Sequence, residues 1–121
     1  MRVRDLPIVL VEKDPAQATE IRDSLTSRGR MLHIVESLRS ADFRALTLNP
    51  CLVVLDIDHA DLPQADADEI VDLISTGDVR RAVILAELSL FPDLLDLLRG
   101  SRIRLLSKPF EADELAAALD A

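Results

Sequence analysis

A chain of 121 residues, 49% of them hydrophobic, is long enough for one domain with a single core. A formal net charge of -8 without a run of Lys or Arg argues against direct binding of nucleic acid, because phosphate contact needs a positive field. The chain starts without the apolar stretch of a signal peptide and has no apolar run long enough to span a bilayer. We therefore expect a single cytoplasmic domain over residues 1–121.

Five short apolar segments of strand length are spaced along the chain, and each precedes a segment of helical character. The strand-like segments are Ile8–Val11, Met31–Val35, Leu52–Leu55, Ala82–Leu85 and Ile103–Leu106. The helix-like segments are Pro15 to the stop at Gly29, Ser37–Leu48, Asp66–Ser75, Leu90–Arg99 and Glu111–Leu119. Because the strand-like runs are continuously apolar, both faces of each strand are expected to be covered by helices. The pattern predicts an α/β fold, (βα)5, with a doubly wound parallel five-stranded sheet.

An aspartate and a lysine follow two of these strands. Asp56 ends the apolar run that begins at Cys51, and Lys108 follows the fifth strand and precedes Pro109. Ligands of open parallel sheets bind beyond the carboxyl ends of the strands, so the two side chains are expected to share one crevice. The lysine there would neutralise the charge of Asp56 or of a phosphoryl group carried by it.

The positions of these residues resemble the receiver domain of bacterial two-component response regulators, over the whole chain. Glu12 follows the first strand, Asp56 the third, and Lys108-Pro109-Phe110 the fifth. The resemblance implies a flavodoxin-like fold, phosphorylation of Asp56 by a kinase histidine, and contact between Lys108 and the phosphate. It implies Mg2+ bound at the acids of this crevice, Glu12 and Asp56. It also implies a histidine kinase or another signalling protein as partner, and a signalling role without catalytic residues of an enzyme.

Lys13 changes the metal site that the resemblance implies. Most members of the family carry two adjacent acids where this chain has Glu12-Lys13, so an ammonium stands where a carboxylate usually binds the metal. Its charge opposes Mg2+, and Asp14 is expected to serve as the N-cap of the first helix. We predict weak or no Mg2+ binding, with Asp58 as a compensating oxygen donor. The Lys13 ammonium either joins Lys108 in the phosphate pocket, where it replaces part of the Mg2+ charge, or faces solvent.

Two positions linked to switching in this family also differ. Ala86 stands where the family has Ser or Thr in the phosphate pocket, and its methyl group cannot donate a hydrogen bond. Leu105, three residues before Lys108, replaces the aromatic switch residue. The differences predict an atypical receiver that acts through protein–protein contact with little or no phosphorylation of Asp56. A conventional receiver, phosphorylated on Asp56, is the alternative.

A third interpretation is a phosphatase. Asp56-Ile57-Asp58 after an apolar strand resembles the Asp-x-Asp of haloacid-dehalogenase-type phosphatases. Those enzymes carry the motif on their first strand, in longer chains with further metal-binding acids. The phosphatase is therefore the remote alternative.

The fourth predicted helix has more leucines than a single core-facing stripe needs. Leu95 and Leu98 are predicted to point at the sheet. With the fifth strand, the helix is predicted to form an interface for a homodimer or a signalling partner, through Leu94, Leu97, Arg102 and Arg104. The alternative is that all of the leucines pack inside a thick core.

Overall fold

The computed structural model describes residues 2–57, 67–97 and 103–120. Within these ranges, five parallel strands form one sheet in the order β2-β1-β3-β4-β5. The strands are β1 (Ile8–Val11), β2 (Leu32–Val35), β3 (Cys51–Asp56), β4 (Val79–Glu87) and β5 (Ile103–Lys108). The helices are α1 (Pro15–Thr26), α2 (Ala41–Thr47), α3 (Ala67–Ser75), α4 (Phe91–Leu97) and α5 (Ala112–Asp120). The predicted doubly wound (βα)5 sheet is confirmed.

Helices cover both faces of the sheet, as the continuously apolar strands predict. The α1–α5 face packs residues such as Leu10 and Leu85 against α1 and α5. The α2–α4 face packs the alternate residues of the strands, such as Val53 and Ile84, against α2, α3 and α4. Strand residues alternate between the two faces, and both are buried, so nearly every central strand position is apolar.

Local hydrogen bonds set where the helices begin. Asp14 caps α1 as predicted, because its Oδ1 accepts from the Ala16 N–H at 3.0 Å. The predicted start of α2 at Ser37 is wrong. The helix begins four residues later, because the Ser40 hydroxyl oxygen accepts from the Phe43 N–H at 3.1 Å and is the N-cap.

The predicted start of β4 at Ala82 is also wrong, because the strand begins at Val79. Val79 pairs with Cys51 at the start of β3. The Arg81 guanidinium, which follows in the strand, donates to the carbonyl oxygen of Leu119 at 2.8 Å and so finds a partner at the end of α5. Arg80 and Arg81 therefore both lie within β4.

In the ranges that the structure describes, no helix is long and apolar enough to cross a membrane.

Candidate functional site

Three charged side chains collect at the carboxyl edge of the sheet. Asp56 ends the central strand β3, Glu12 directly follows β1, and Lys108 ends β5. Strands β1 and β3 are neighbours although β2 lies between them in the chain, and a crevice opens at such a reversal of strand order. The residues two positions before each of the three belong to the α1–α5 face. Strand alternation therefore places all three charged side chains on that face.

Asp56 and Lys108 form an ion pair, in which the Lys108 Nζ donates to Asp56 Oδ1. Their side chains are 13% and 23% exposed, so water has little access to the pair. Strand β4 lies between β3 and β5, with Leu85 opposite Asp56 and Glu87 opposite Lys108. The lysine thus starts two residues beyond the aspartate, and its long side chain reaches back across β4. The bond between Lys108 and Pro109 is cis.

Glu12 is a buried acid beside this pair, with 5% of its surface exposed. Its Oε1 accepts from the Asp14 N–H at 3.1 Å, while Oε2 is buried and has no hydrogen-bond donor among the described residues. The pKa of Glu12 is raised from 4.5 to about 7, mainly by burial and also by hydrogen bonding to Asp56 and the negative charge of Asp56. The Asp14 amide and the Lys108 ammonium act in the opposite direction. Two ionised carboxylates cannot hydrogen-bond to each other, so the contact between Glu12 and Asp56 favours a proton on Glu12.

Two of the three residues predicted to bind Mg2+, Glu12 and Asp56, lie at this site. Mg2+ prefers near-octahedral coordination by hard oxygen ligands, and Asp56 is here paired with Lys108. Asp14 points its carboxylate at the first turn of α1 instead. The described ranges contain no group of three His, Cys, Asp or Glu residues that could hold a metal ion. Asp58 lies outside the described residues.

Lys13 and Ala86 occupy different surroundings. Lys13 is exposed, and its contribution to the phosphate pocket stays a prediction. Ala86 is fully buried in the core of the α2–α4 face, and Leu105 is partly buried against the same core. The methyl group of Ala86 offers no hydrogen-bond donor to a phosphoryl group on Asp56.

The leucines of α4 are arranged differently from the prediction. Leu94 is 1% exposed and packs in the core, so the prediction that it contributes to an interface is wrong. Leu95 is 58% exposed, so the prediction that it points at the sheet is wrong as well. Successive helical residues are rotated by about 100°, which separates the two neighbours into an inner and an outer position.

Leu88, at the start of the short 3-10 turn before α4, is also exposed, at 66%. The sequence interpretation missed Leu88 and Leu95 as surface residues. Arg104 is exposed on the edge strand β5. Arg102, Leu98 and the side chain of Leu97 lie outside the described residues.

No protein-family model matches the chain, and no curated protein matches it. Solved structures do match. The full-length FixJ from B. japonicum superposes with a TM-score of 0.76 at 20% identity, over 95% of this chain and 56% of FixJ. This chain therefore spans about half the length of FixJ.

Two further structures match over most of their own length. The receiver domain of the sensor histidine kinase PA1611 from Pseudomonas aeruginosa PAO1 has a TM-score of 0.71 and 24% identity, over 95% of this chain and 94% of that domain. That crystal structure has a magnesium ion coordinated in its active-site cleft. An adenylate cyclase from Rhodopirellula baltica has a TM-score of 0.73 and 17% identity, over 96% of this chain and 85% of its own.

The chain has the flavodoxin-like fold of response-regulator receiver domains. At identities below 25%, these likenesses concern the fold. The function has to be argued from the site itself.

Proposed function

We propose that this chain is an atypical receiver domain in a two-component phosphorelay, one that acts mainly through protein–protein contact. Asp56 is the phosphoacceptor in this proposal, with weak or no Mg2+-dependent phosphorylation. The observation that carries it is the shielded ion pair between Asp56 and Lys108 at the crevice of a doubly wound sheet. The partner is a histidine kinase or another signalling protein.

The charges of the site fit phosphoryl transfer to a carboxylate. In that step an oxygen of Asp56 forms a bond to phosphorus while the bond from phosphorus to the kinase histidine breaks, and negative charge approaches negative charge. Lys108 already donates to the Asp56 carboxylate, so its ammonium can neutralise the phosphoryl oxygens as the bond forms. Its position on β5 fixes the direction from which it acts.

Three features support weak phosphorylation. Burial and the neighbouring Asp56 raise the pKa of Glu12 to about 7, so a proton competes with a cation for this carboxylate. Lys13 adds a positive charge next to it in the chain. Ala86 has no hydroxyl to bind a phosphoryl oxygen, so phosphorylation has little means to draw the end of β4 toward Asp56.

An exposed apolar surface supports the role in protein–protein contact. Leu95 presents its side chain to solvent on α4, and Arg104 is exposed on the edge strand β5. Exposed apolar groups of this kind, with a charged rim, are typical of contact sites between proteins. We assign this surface, called here the α4–β5 surface, to a second copy of the chain or to a signalling partner.

The conventional receiver is the second candidate, because the Asp56–Lys108 pair is present in full. An enzymatic function is not part of the proposal. A phosphatase of the haloacid-dehalogenase type needs a set of metal-binding acids, and the described residues supply Glu12 and Asp56. The net charge of -8 likewise leaves nucleic acid out of the proposed partners.

Incubation with a small-molecule phosphodonor such as acetyl phosphate, with and without Mg2+, tests the proposal by intact mass. We expect little phosphorylated protein in either condition, and none with Asp56→Asn. Near-complete phosphorylation that requires Mg2+ would establish the conventional receiver instead. A phosphoryl group that persists in Asp56→Asn would show that the acceptor is another residue.

Lys13 provides a gain-of-function version of the same test. Lys13→Asp removes a repelling charge and adds a hard oxygen ligand, so Mg2+-dependent phosphorylation should rise. Lys13→Gln removes the charge without adding a ligand and is the matched control. If both variants behave as the unaltered chain does, Lys13 is not what limits metal binding.

A further inference from the structure

Strand β2 is one edge of the sheet, and no other strand of the described residues lies on its outer side. On its inner side, the carbonyl oxygens of Met31 and Val35 accept hydrogen bonds from the β1 side. Neighbouring residues of a strand point their N–H and C=O groups to opposite sides. Those of Leu32 and Ile34 therefore point outward, and among the described residues they have no hydrogen-bond partner.

The two edges of the sheet differ in how they are protected. Edge strands commonly carry charged side chains or proline, which keep them from pairing with a strand of another molecule. The other edge strand, β5, carries Arg104 and Lys108. The residues from Met31 to Val35 include no Lys, Arg, Asp, Glu or Pro. The β2 edge is therefore open to pairing, whereas the β5 edge is guarded.

The surroundings of the β2 edge are apolar and carry balanced charge. Met31 is 65% exposed and Ile34 is 38% exposed. A groove of about 550 Å³ borders the strand, with Arg22 of α1 and Asp42 of α2 among its lining residues. Their opposite charges balance, so the groove adds nothing to the repulsion between two copies of a chain with a net charge of -8.

The hydrogen-bonding groups of this edge are complementary to themselves. Two copies related by a two-fold axis perpendicular to the sheet would bring their β2 edges together antiparallel. With Leu32 of one copy opposite Ile34 of the other, both residues have outward groups and exchange two hydrogen bonds. The two-fold axis repeats this pair, so the N–H and C=O groups of both residues are satisfied in each copy.

The same register also matches the side chains. It places Leu32 beside Ile34 of the other copy, and Met31 beside Val35 of the other copy. These pairs are apolar and would cover the exposed surface of Met31 and Ile34. His33 meets His33 of the other copy at the axis, as a pair without backbone hydrogen bonds between its members.

We propose that two copies of the chain pair antiparallel through β2, with His33 at the two-fold axis, so that one continuous sheet crosses both copies. Strands β2 and β5 are opposite edges of the sheet, so this contact is separate from the α4–β5 surface. The inference does not depend on phosphorylation of Asp56.

A disulfide at the axis tests the register. In His33→Cys, the two Cα atoms should be about 4.5 Å apart, within the roughly 4.4 to 6.8 Å that a disulfide spans. Air oxidation followed by non-reducing electrophoresis should give a covalent dimer. Ile34→Cys is the matched control, because its copies would be diagonal neighbours about 7 to 8 Å apart and should cross-link much more slowly. Cys51 is buried, so the unaltered chain should not cross-link.

Amide hydrogen exchange tests the pairing in the unaltered chain. The amides of Leu32 and Ile34 should become protected as protein concentration rises, because they bond to the second copy. Those of His33 and Val35 face β1 and should be protected at every concentration. This alternation along four residues distinguishes pairing of edges from contact through side chains alone.

Sedimentation equilibrium of Leu95→Glu separates this contact from the α4–β5 surface. We expect a dimer in that variant, since β2 is unaltered. Adding Ile34→Lys should weaken the dimer on the order of tenfold, because it places a charge in an apolar pair at the edge. Adding Leu88→Lys, an equal exchange at an exposed residue after β4, should leave the affinity within about twofold.

Several results would overturn the proposal. Cross-linking of Ile34→Cys as fast as that of His33→Cys would show another register or random collision. Rapid exchange of the Leu32 and Ile34 amides at every concentration would show that the edge stays unpaired. A monomeric Leu95→Glu chain without a disulfide in His33→Cys would exclude a second copy and leave the edge to an extended segment of a different protein.

Discussion

The two faces of the sheet differ in how their helices are held. On the α1–α5 face, Arg28 in the turn after α1 pairs with Asp113 of α5, so a charged contact joins this end of α1 to α5. Arg30, in the turn that follows, pairs with Asp120 and also donates to the carbonyl oxygen of Val3. On the α2–α4 face, Leu94 of α4 is buried, whereas its neighbour Leu95 is exposed to solvent.

The charged site and the exposed surface of α4 lie on opposite faces of the sheet. Glu12, Asp56 and Lys108 belong to the α1–α5 face, whereas Ala86 and α4 belong to the other. The methyl group of Ala86 offers no hydrogen bond from its own face to the charged site. The α4–β5 surface is therefore expected to act independently of the chemistry at Asp56.

The largest expected effect separates the two leucines of α4. Leu94→Ala should lower the free energy of unfolding by about 2 to 5 kcal/mol, because it leaves a cavity in the core. Leu95→Ala, at an outer position, should change it by about 0.5 kcal/mol or less. Urea denaturation of both variants measures the difference. Equal destabilisation would mean that both leucines are core residues.

The second prediction concerns the pH dependence created by Glu12. Its pKa in the folded chain, about 7, lies above the ordinary 4.5, so the folded state binds the proton more tightly than the unfolded state does. The free energy of unfolding should therefore fall as pH rises from 4.5 to about 7. Glu12→Gln should abolish this fall and stabilise the fold by about 1 to 3 kcal/mol above pH 7, with little effect below pH 4.5.

Denaturation curves across this pH range give the measurement for Glu12. Glu36→Gln is the matched control, because it removes the same charge from an exposed residue. If the two variants keep the same pH dependence, Glu12 is not held as a buried acid.

The smallest expected effect compares the two ion pairs of the α1–α5 face. Arg28 and Asp113 have side chains that are 40% and 86% exposed, and a double-mutant cycle should give a coupling of about 0.5 kcal/mol or less. Arg30 is 8% exposed and Asp120 is 39% exposed, so their coupling should be larger, about 1 kcal/mol. A stronger coupling for the exposed pair would show that shielding from water does not set the order.

The sequence predicts the sheet well, because its strands are continuous apolar runs between polar turns. The bounds of β1 are predicted correctly, and Asp14 is correctly placed as a cap. The start of β4 was predicted wrongly because Arg81 was expected to need solvent. In the fold its guanidinium donates to the carbonyl oxygen of Leu119, a residue distant in the sequence. The start of α2 was missed because two serines, Ser37 and Ser40, both suit an N-cap.

The candidate site is only partly predictable. Asp56 and Lys108 could be paired from their positions after two strands. The proton affinity of Glu12 could not be inferred, because it depends on burial and on Asp56 in the neighbouring strand. The prediction of which α4 leucines face the core was wrong for another reason. Leucines surround much of the helix, so composition alone does not show which of Leu94 and Leu95 faces the core.

Sedimentation equilibrium of the unphosphorylated chain tests the central claim, association through the α4–β5 surface without phosphorylation. The account predicts reversible self-association in the unaltered chain and in Asp56→Asn alike. Leu95→Glu should weaken this association by about 1 to 3 kcal/mol with little loss of stability, because it places a charge in an apolar contact. A monomer at high concentration, or association that appears only after phosphorylation of Asp56, would contradict it.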